Sequence, residues 1–142
     1  MVGVVLVTHG TLGEAVVQTL RGVVGAFDGI EAVVSAPRDG PEVIHDRIAA
    51  AVDRVDSGDG VLILTDMLGD TQTNQSEVVA RETGAEVVAG ANIPMLIKAI
   101  EERGRCDVRT LARTLPRYGR EHIFWVTDPE CSVRRRTGTG RT

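Results

Sequence analysis

The sequence predicts an α/β fold, a three-layer sandwich with a mainly parallel central sheet. Three observations predict it. Runs such as "VGVVLVT" (2–8) and "GVLILTD" (60–66) are continuous and rich in β-branched residues, as strands buried on both faces are. Between such runs, apolar residues recur at helical spacing. The two patterns alternate four times in succession, which right-handed crossovers convert into parallel neighbours with helices on both faces.

After the first strand, Leu12, Ala15, Val16, Leu20 and Val23 mark a helix from Thr11 to about Gly25. "IEAVVSA" (30–36) is a second strand, closed by Pro37 and Gly40. Residues 41–56 form a second helix with one stripe of Val43, Ile44, Ile48, Ala51, Val52 and Val55. The third strand (60–66) leads into a helix over 71–83, "AEVVAG" (85–90) is a fourth strand, and helices follow over 92–104 and 107–119. "HIFWVTD" (122–128) reads as a last strand. It follows two helices, so it is expected to run antiparallel at an edge or to be exchanged between subunits, with Trp125 and Phe124 in packing roles. Residues 1–128 form one domain, and 129–142 read as a basic, disordered tail.

Composition limits the functions available. Hydrophobic residues at 42% and charged residues at 25% describe an ordinary soluble domain. Acidic and glycine positions break every apolar run before it reaches membrane-spanning length. The first charge is Glu14, so no basic signal-peptide start is present, and a cytoplasmic location is expected. Cys106 and Cys131 make neither a disulfide scaffold nor a CxxC pair. The last twelve residues hold four arginines and no acid, which leaves a net charge of −8 on the first 130. An acidic body argues against nucleic acid as a ligand. The Arg134-Arg135-Arg136 run reads as part of the solvated tail. No P-loop, GxGxxG or HExxH is present, so neither a nucleotide cofactor nor a built-in metal is indicated.

In parallel sheets, ligands bind beyond the carboxyl ends of the strands, where strand order reverses. The first and third strands are the most continuously apolar and are expected to be central neighbours. They end in Thr8-His9-Gly10 and Thr65-Asp66, so an imidazole and a carboxylate meet at the switch point. Each is followed by a glycine (Gly10, Gly69) and a hydroxyl residue (Thr11, Thr71) that opens a helix, where free amides attract anions, phosphate above all. A carboxylate on one ring nitrogen fixes the tautomer and leaves the other free to attack phosphorus. On spacing alone the plainer reading stands beside this one, with His9 closing a turn and Asp66 capping a helix. His45 reads as a surface helix residue, His122 as a surface or subunit-contact residue, and Cys106 as a structural thiol.

"LVTHG", then "LILTDMLGDTQTNQS", then "GANIPMLIKAI" resemble, in that order, the three markers of the enzyme IIA domain of the mannose-type phosphotransferase system, over about residues 1–127. The resemblance implies a phosphotransferase component that accepts phosphate from the phosphocarrier HPr on a histidine and passes it to a IIB protein, for carbohydrate uptake or its regulation. It implies His9 as the phosphorylated residue and Asp66 as its orienting carboxylate. It implies that Gly69 and Thr71 belong to the loop that holds the phosphoryl oxygens, Gly10 and Asp70 are expected to complete the phosphate-binding set, and Asn92, Pro94 and Met95 match the third marker. It also implies a homodimer in which an end segment crosses between subunits, and membrane association only indirectly, through a transporter complex.

The departures lie in the second marker, G-G-(S/T)-P-x-N in the family and Gly69-Asp70-Thr71-Gln72-Thr73-Asn74 here. Asp70 stands where a glycine is expected and adds negative charge beside the phosphate. Gln72 replaces a proline at the expected first helical position after a Thr71 cap, losing preorganisation and little else. Two rival readings remain. One is a regulatory protein of the same fold that signals by its phospho-state. The other is a small tetrapyrrole metal chelatase, which shares a strand ending in His-Gly but fits "GDTQTN" and "NIPML" poorly.

Overall fold

The computed structural model describes residues 1–130. The elements are β1 (Gly3–Val7), α1 (Leu12–Val24), β2 (Ile30–Val33), α2 (Pro41–Val55), β3 (Val61–Thr65), α3 (Thr71–Thr83), β4 (Glu86–Ala89), α4 (Ile93–Glu102) and α5 (Val108–Glu121). The four strands form one all-parallel sheet in the order β2-β1-β3-β4. The α/β class and the central β1–β3 pair are as the sequence predicts, with Val7 opposite both Val33 and Thr65.

Strand pleating divides the core into two layers, because successive side chains point to opposite faces. Val4 and Leu6 of β1 join Leu62 and Leu64 of β3 on one face, beneath Leu20 of α1, Met95 and Leu96 of α4, and Leu111 and Leu115 of α5. Val5, Val7, Val61 and Ile63 point the other way, against Ile44, Ile48 and Val52 of α2 and Val79 of α3. All five residues of β1 and of β3 are buried, which explains why neither strand alternates with polar residues. Cutting Leu6, Leu62, Ile63 or Leu64 back to alanine would cost about 2–5 kcal/mol.

The end of the sheet opposite the strand carboxyl termini is closed by a buried arginine. The Arg103 guanidinium donates to the carbonyls of Asp28, Gly29 and Val2. At the carboxyl ends, the chain moves from β1 to β2 on one side and then back past β1 to β3. The connections therefore diverge at β1 and β3 and leave the crevice that the reversal of strand order predicts.

One expectation is corrected. Segment 122–128 adds no strand: β4 is the last strand among the described residues, and Ile123, Phe124, Trp125 and Val126 stand exposed, Trp125 at 74%. A strand needs a neighbour to complete its ladder, and the segment's strand-like pattern finds none within one chain. The Trp125 indole N–H donates to the Thr127 hydroxyl instead. His122 caps the end of α5, its ring stacked on Tyr118 with centroids 3.8 Å apart. The arginine run of the expected tail lies outside the described residues.

Candidate functional site

Thr8, His9 and Gly10 follow β1 directly. Thr8 is buried, and its Oγ1 accepts the Gly13 amide at 2.7 Å, satisfying a first-turn donor of α1 from the strand end. Thr11, where the sequence places the helix start, makes no side-chain cap bond. Gly10 has φ +54°, a left-handed turn that glycine enters without a Cβ penalty and that lifts His9 out of the sheet. Gly69, at φ +89°, makes the corresponding turn after β3.

These turns bring the predicted pair together. Asp66 Oδ2 lies 2.9 Å from His9 Nδ1 and accepts the His9 backbone N–H at 3.1 Å. The two bonds fix both the ring's rotation and its tautomer, with the proton on Nδ1. The hydrogen bond to Asp66 raises the imidazole pKa, partial burial opposes it, and the Asp66 and Asp70 charges add to the rise. Burial pushes the Asp66 carboxyl upward, but its bonds to the His9 ring and amide outweigh that and hold it below the usual carboxylate range. The plainer reading of Asp66 as a helix cap is thereby set aside. His9 is 47% exposed, so its ring is open to solvent on one side.

Asp70 also reaches the ring. Its Oδ1 accepts the Thr73 amide at 2.7 Å and caps α3, a role the sequence reading gives to Thr71. The cap therefore falls one residue earlier, because a carboxylate at Asp70 outcompetes the shorter Thr71 hydroxyl for the first-turn amides. That bond turns Oδ2 towards His9 Nε2, 3.4 Å away, with the side chain only 10% exposed. Asp66 Oδ1 and Asp70 Oδ2 are buried without a hydrogen-bond partner among the described residues. His9, Asp66 and Asp70 each offer a ligand-type atom, all within 4.8 Å of one another. The imidazole is thus held between two carboxylates, one at each nitrogen.

Polar residues to which the sequence reading gave no such role hold the three strand ends together. Gln72 is buried, and its amide donates to Ser35 Oγ (3.1 Å), which donates to the Thr8 carbonyl (3.0 Å). Gln72 therefore does more than forgo a proline: it ties the start of α3 to the ends of β1 and β2. The buried Thr73 hydroxyl donates to the Met67 carbonyl at 2.6 Å and lies 2.8 Å from Thr65 Oγ1, pinning the Asp66 loop. The available signal was positional: Thr8, Ser35 and Thr65 are polar residues at or just beyond strand carboxyl ends, and Gln72 and Thr73 lie in the first turn of the helix that follows β3. In the third marker, Asn92 caps α4 through Met95 N and reaches across to the Gly119 carbonyl of α5, so it braces two helices. Around His9, Leu12, Met67 and Leu68 are exposed, Leu68 at 76%.

The remaining candidates lie elsewhere. His45 of α2 bonds Asp46 on its own helix and Glu82 of α3. The Cys106 thiol is half-buried, and burial pushes its pKa up, as befits an inert thiol. No helix among the described residues is long and apolar enough to cross a membrane.

Comparison with known proteins shows the family to which the chain belongs. The chain is 26% identical over 113 residues to the sorbose-specific EIIA component of Lacticaseibacillus casei, covering 79% of this chain and 81% of that protein. It is 29% identical over 103 residues to the mannose-specific EIIAB component of Escherichia coli K12, covering 72% of this chain. The match takes in 32% of that protein, so the chain spans about a third of the length of the curated mannose relatives it matches. The crystal structure of an EIIA phosphotransferase component from Streptococcus agalactiae superposes with a TM-score of 0.80 at 22% identity, over 87% of this chain and 96% of that one. A family model described as the PTS system fructose IIA component matches residues 3–115, and the chain belongs to that family, the mannose-type IIA components of the phosphotransferase system.

Proposed function

We propose that this protein is a phosphoryl carrier that takes phosphate from HPr onto Nε2 of His9 and passes it to a IIB partner. The observation that carries the reading is the Asp66–His9 pair. With Nδ1–H held by Asp66, the lone pair is on Nε2, on a ring that is half exposed. In the forward step Nε2 attacks the phosphorus of the donor's phosphohistidine. A new N–P bond forms, the donor's N–P bond breaks, and the donor imidazole leaves with its electron pair. The phosphorylated His9 ring keeps its Nδ1 proton and carries positive charge, which the adjacent Asp66 carboxylate balances. Gly10, Gly69 and Thr71 surround the transferred group, and the exposed Leu12, Met67 and Leu68 provide an apolar rim for a protein donor.

The unpaired run Ile123–Val126 supports a homodimer in which this segment adds to a partner's sheet. Asp70 favours a second reading within the same family, a regulatory protein whose phospho-state is a signal, because a carboxylate beside Nε2 disfavours rapid turnover.

The test is transfer from phosphorylated HPr. Wild-type protein is expected to take up one acid-labile phosphoryl group, and His9→Ala none. Labelling that persists in His9→Ala, or that maps to His45 or His122, refutes the assignment.

A further inference from the structure

The separation between His9 Nε2 and Asp70 Oδ2, 3.4 Å, is long for a full N–H···O hydrogen bond. It suits a different arrangement. Two donors bound to one cation at about 2.1 Å each, at a tetrahedral angle, stand about 3.4 Å apart. The rest of the surroundings fit as well. A metal-binding histidine usually donates its other ring N–H to a carboxylate, which fixes the tautomer, and Asp66 takes the Nδ1 side here. Asp70 Oδ2 is a buried carboxylate oxygen with no hydrogen-bond partner among the described residues, on a side chain nine-tenths buried and turned to the same nitrogen. An unsatisfied buried carboxylate oxygen is costly, and a cation at this point would satisfy it.

We propose that His9 Nε2 and Asp70 Oδ2 form a binding site for a divalent cation of the zinc type, with Asp66 orienting the histidine from the outer shell. One imidazole nitrogen and one carboxylate oxygen match borderline cations such as Zn²⁺ better than Mg²⁺ or Ca²⁺, which prefer oxygen alone. The remaining coordination positions face the open side of His9 and take water. The site uses the lone pair that phosphate transfer would need, so cation and phosphoryl group exclude one another on Nε2. Cation binding itself does not depend on the phosphocarrier reading.

The test is calorimetric titration of the metal-free protein with ZnCl₂, alongside His9→Gln, Asp70→Asn, Asp66→Asn and His45→Gln. Asparagine at position 70 keeps the α3 cap, so that variant isolates the lost ligand. Wild-type protein is expected to bind one Zn²⁺, His9→Gln none, and Asp70→Asn at least about tenfold more weakly. Asp66→Asn should weaken binding about 10- to 100-fold, as outer-shell partners do. His45→Gln, which removes the only other described histidine flanked by two acids, should match wild type. Histidine ring NMR signals should place the perturbation on His9. No saturable binding in wild type overturns the proposal, as does binding that survives both His9→Gln and Asp70→Asn. A second measurement separates this site from the proposed function: phosphoryl uptake from pre-phosphorylated HPr with and without Zn²⁺. Uptake without zinc that zinc suppresses supports both. Zinc binding without any phosphoryl uptake keeps the cation site and refutes the carrier. Uptake that saturating zinc leaves unchanged refutes their exclusion on Nε2.

Discussion

Asp70→Asn removes one negative charge from beside the proposed phosphorylation atom and leaves the shape of the loop intact. The carboxylate oxygen stands 3.4 Å from Nε2, so a phosphoryl group there would hold its charge about 4 Å from Asp70. Each unit of phosphoryl charge at that distance meets a repulsion of about 1 kcal/mol in bulk water and about 4 kcal/mol at an effective dielectric near 20. His9 is half exposed while Asp70 is largely buried, so the value falls between these limits. At 1.36 kcal/mol per factor of ten, the substitution should speed phosphorylation or stabilise phosphohistidine by about fivefold to about a thousandfold. Asp70→Gly removes the charge and also the side-chain bond to Thr73 N, restoring the loop of the family. Asparagine caps about as well as aspartate and glycine only a few tenths of a kcal/mol worse, so neither variant should unfold. The assay is transfer from phosphorylated HPr in the presence of a chelator, with initial rate and phosphohistidine lifetime measured separately. Rates and lifetimes equal to wild type in both variants would refute the reasoning, since the carboxylate would then swing clear of the phosphate at negligible cost. Loss of transfer in both would show that Asp70 assists the step.

Three further outcomes follow from the same geometry. Asp66→Asn should keep the fold and slow phosphoryl transfer on the order of a thousandfold, because the amide can hold the wrong tautomer and cannot balance the ring's charge; an unchanged rate would mean the carboxylate is idle. Removal of the chain from His122 onward should convert the proposed dimer to a monomer by light scattering at micromolar concentration, and an unchanged mass would place the interface elsewhere. The bonds to Asp46 and Glu82 raise the pKa of His45, so their stabilisation is fully present below the unfolded value of about 6.5 and fades as pH rises through the higher folded value. Glu82→Gln should therefore destabilise the protein in denaturant melts near about pH 6 by a few tenths of a kcal/mol, the scale of exposed pairs, and have less effect near about pH 8.5; equal effects at both would contradict the linkage.

What the sequence determined by itself is the sheet and the pairing at its switch point. Strands buried on both faces must be apolar throughout, so β1 and β3 announced themselves as central, and parallel topology then brought His9 and Asp66 to the same edge. The helix over 71–83 was legible to its ends, with Gly84 in the left-handed conformation closing it. Tertiary structure decided the rest. Whether Asp70 pointed away from His9 or towards it depended on which residue capped α3, and one carboxylate oxygen on the Thr73 amide sends the other to Nε2. The Gln72–Ser35–Thr8 chain joins residues brought near one another only by the fold, and hydrogen bonds between separate loops leave no periodicity in a sequence. For "HIFWV", local pattern and fold disagree because a strand's identity belongs to its neighbour as much as to itself. A run of apolar residues states that a surface is to be covered, and only the assembled structure states by what.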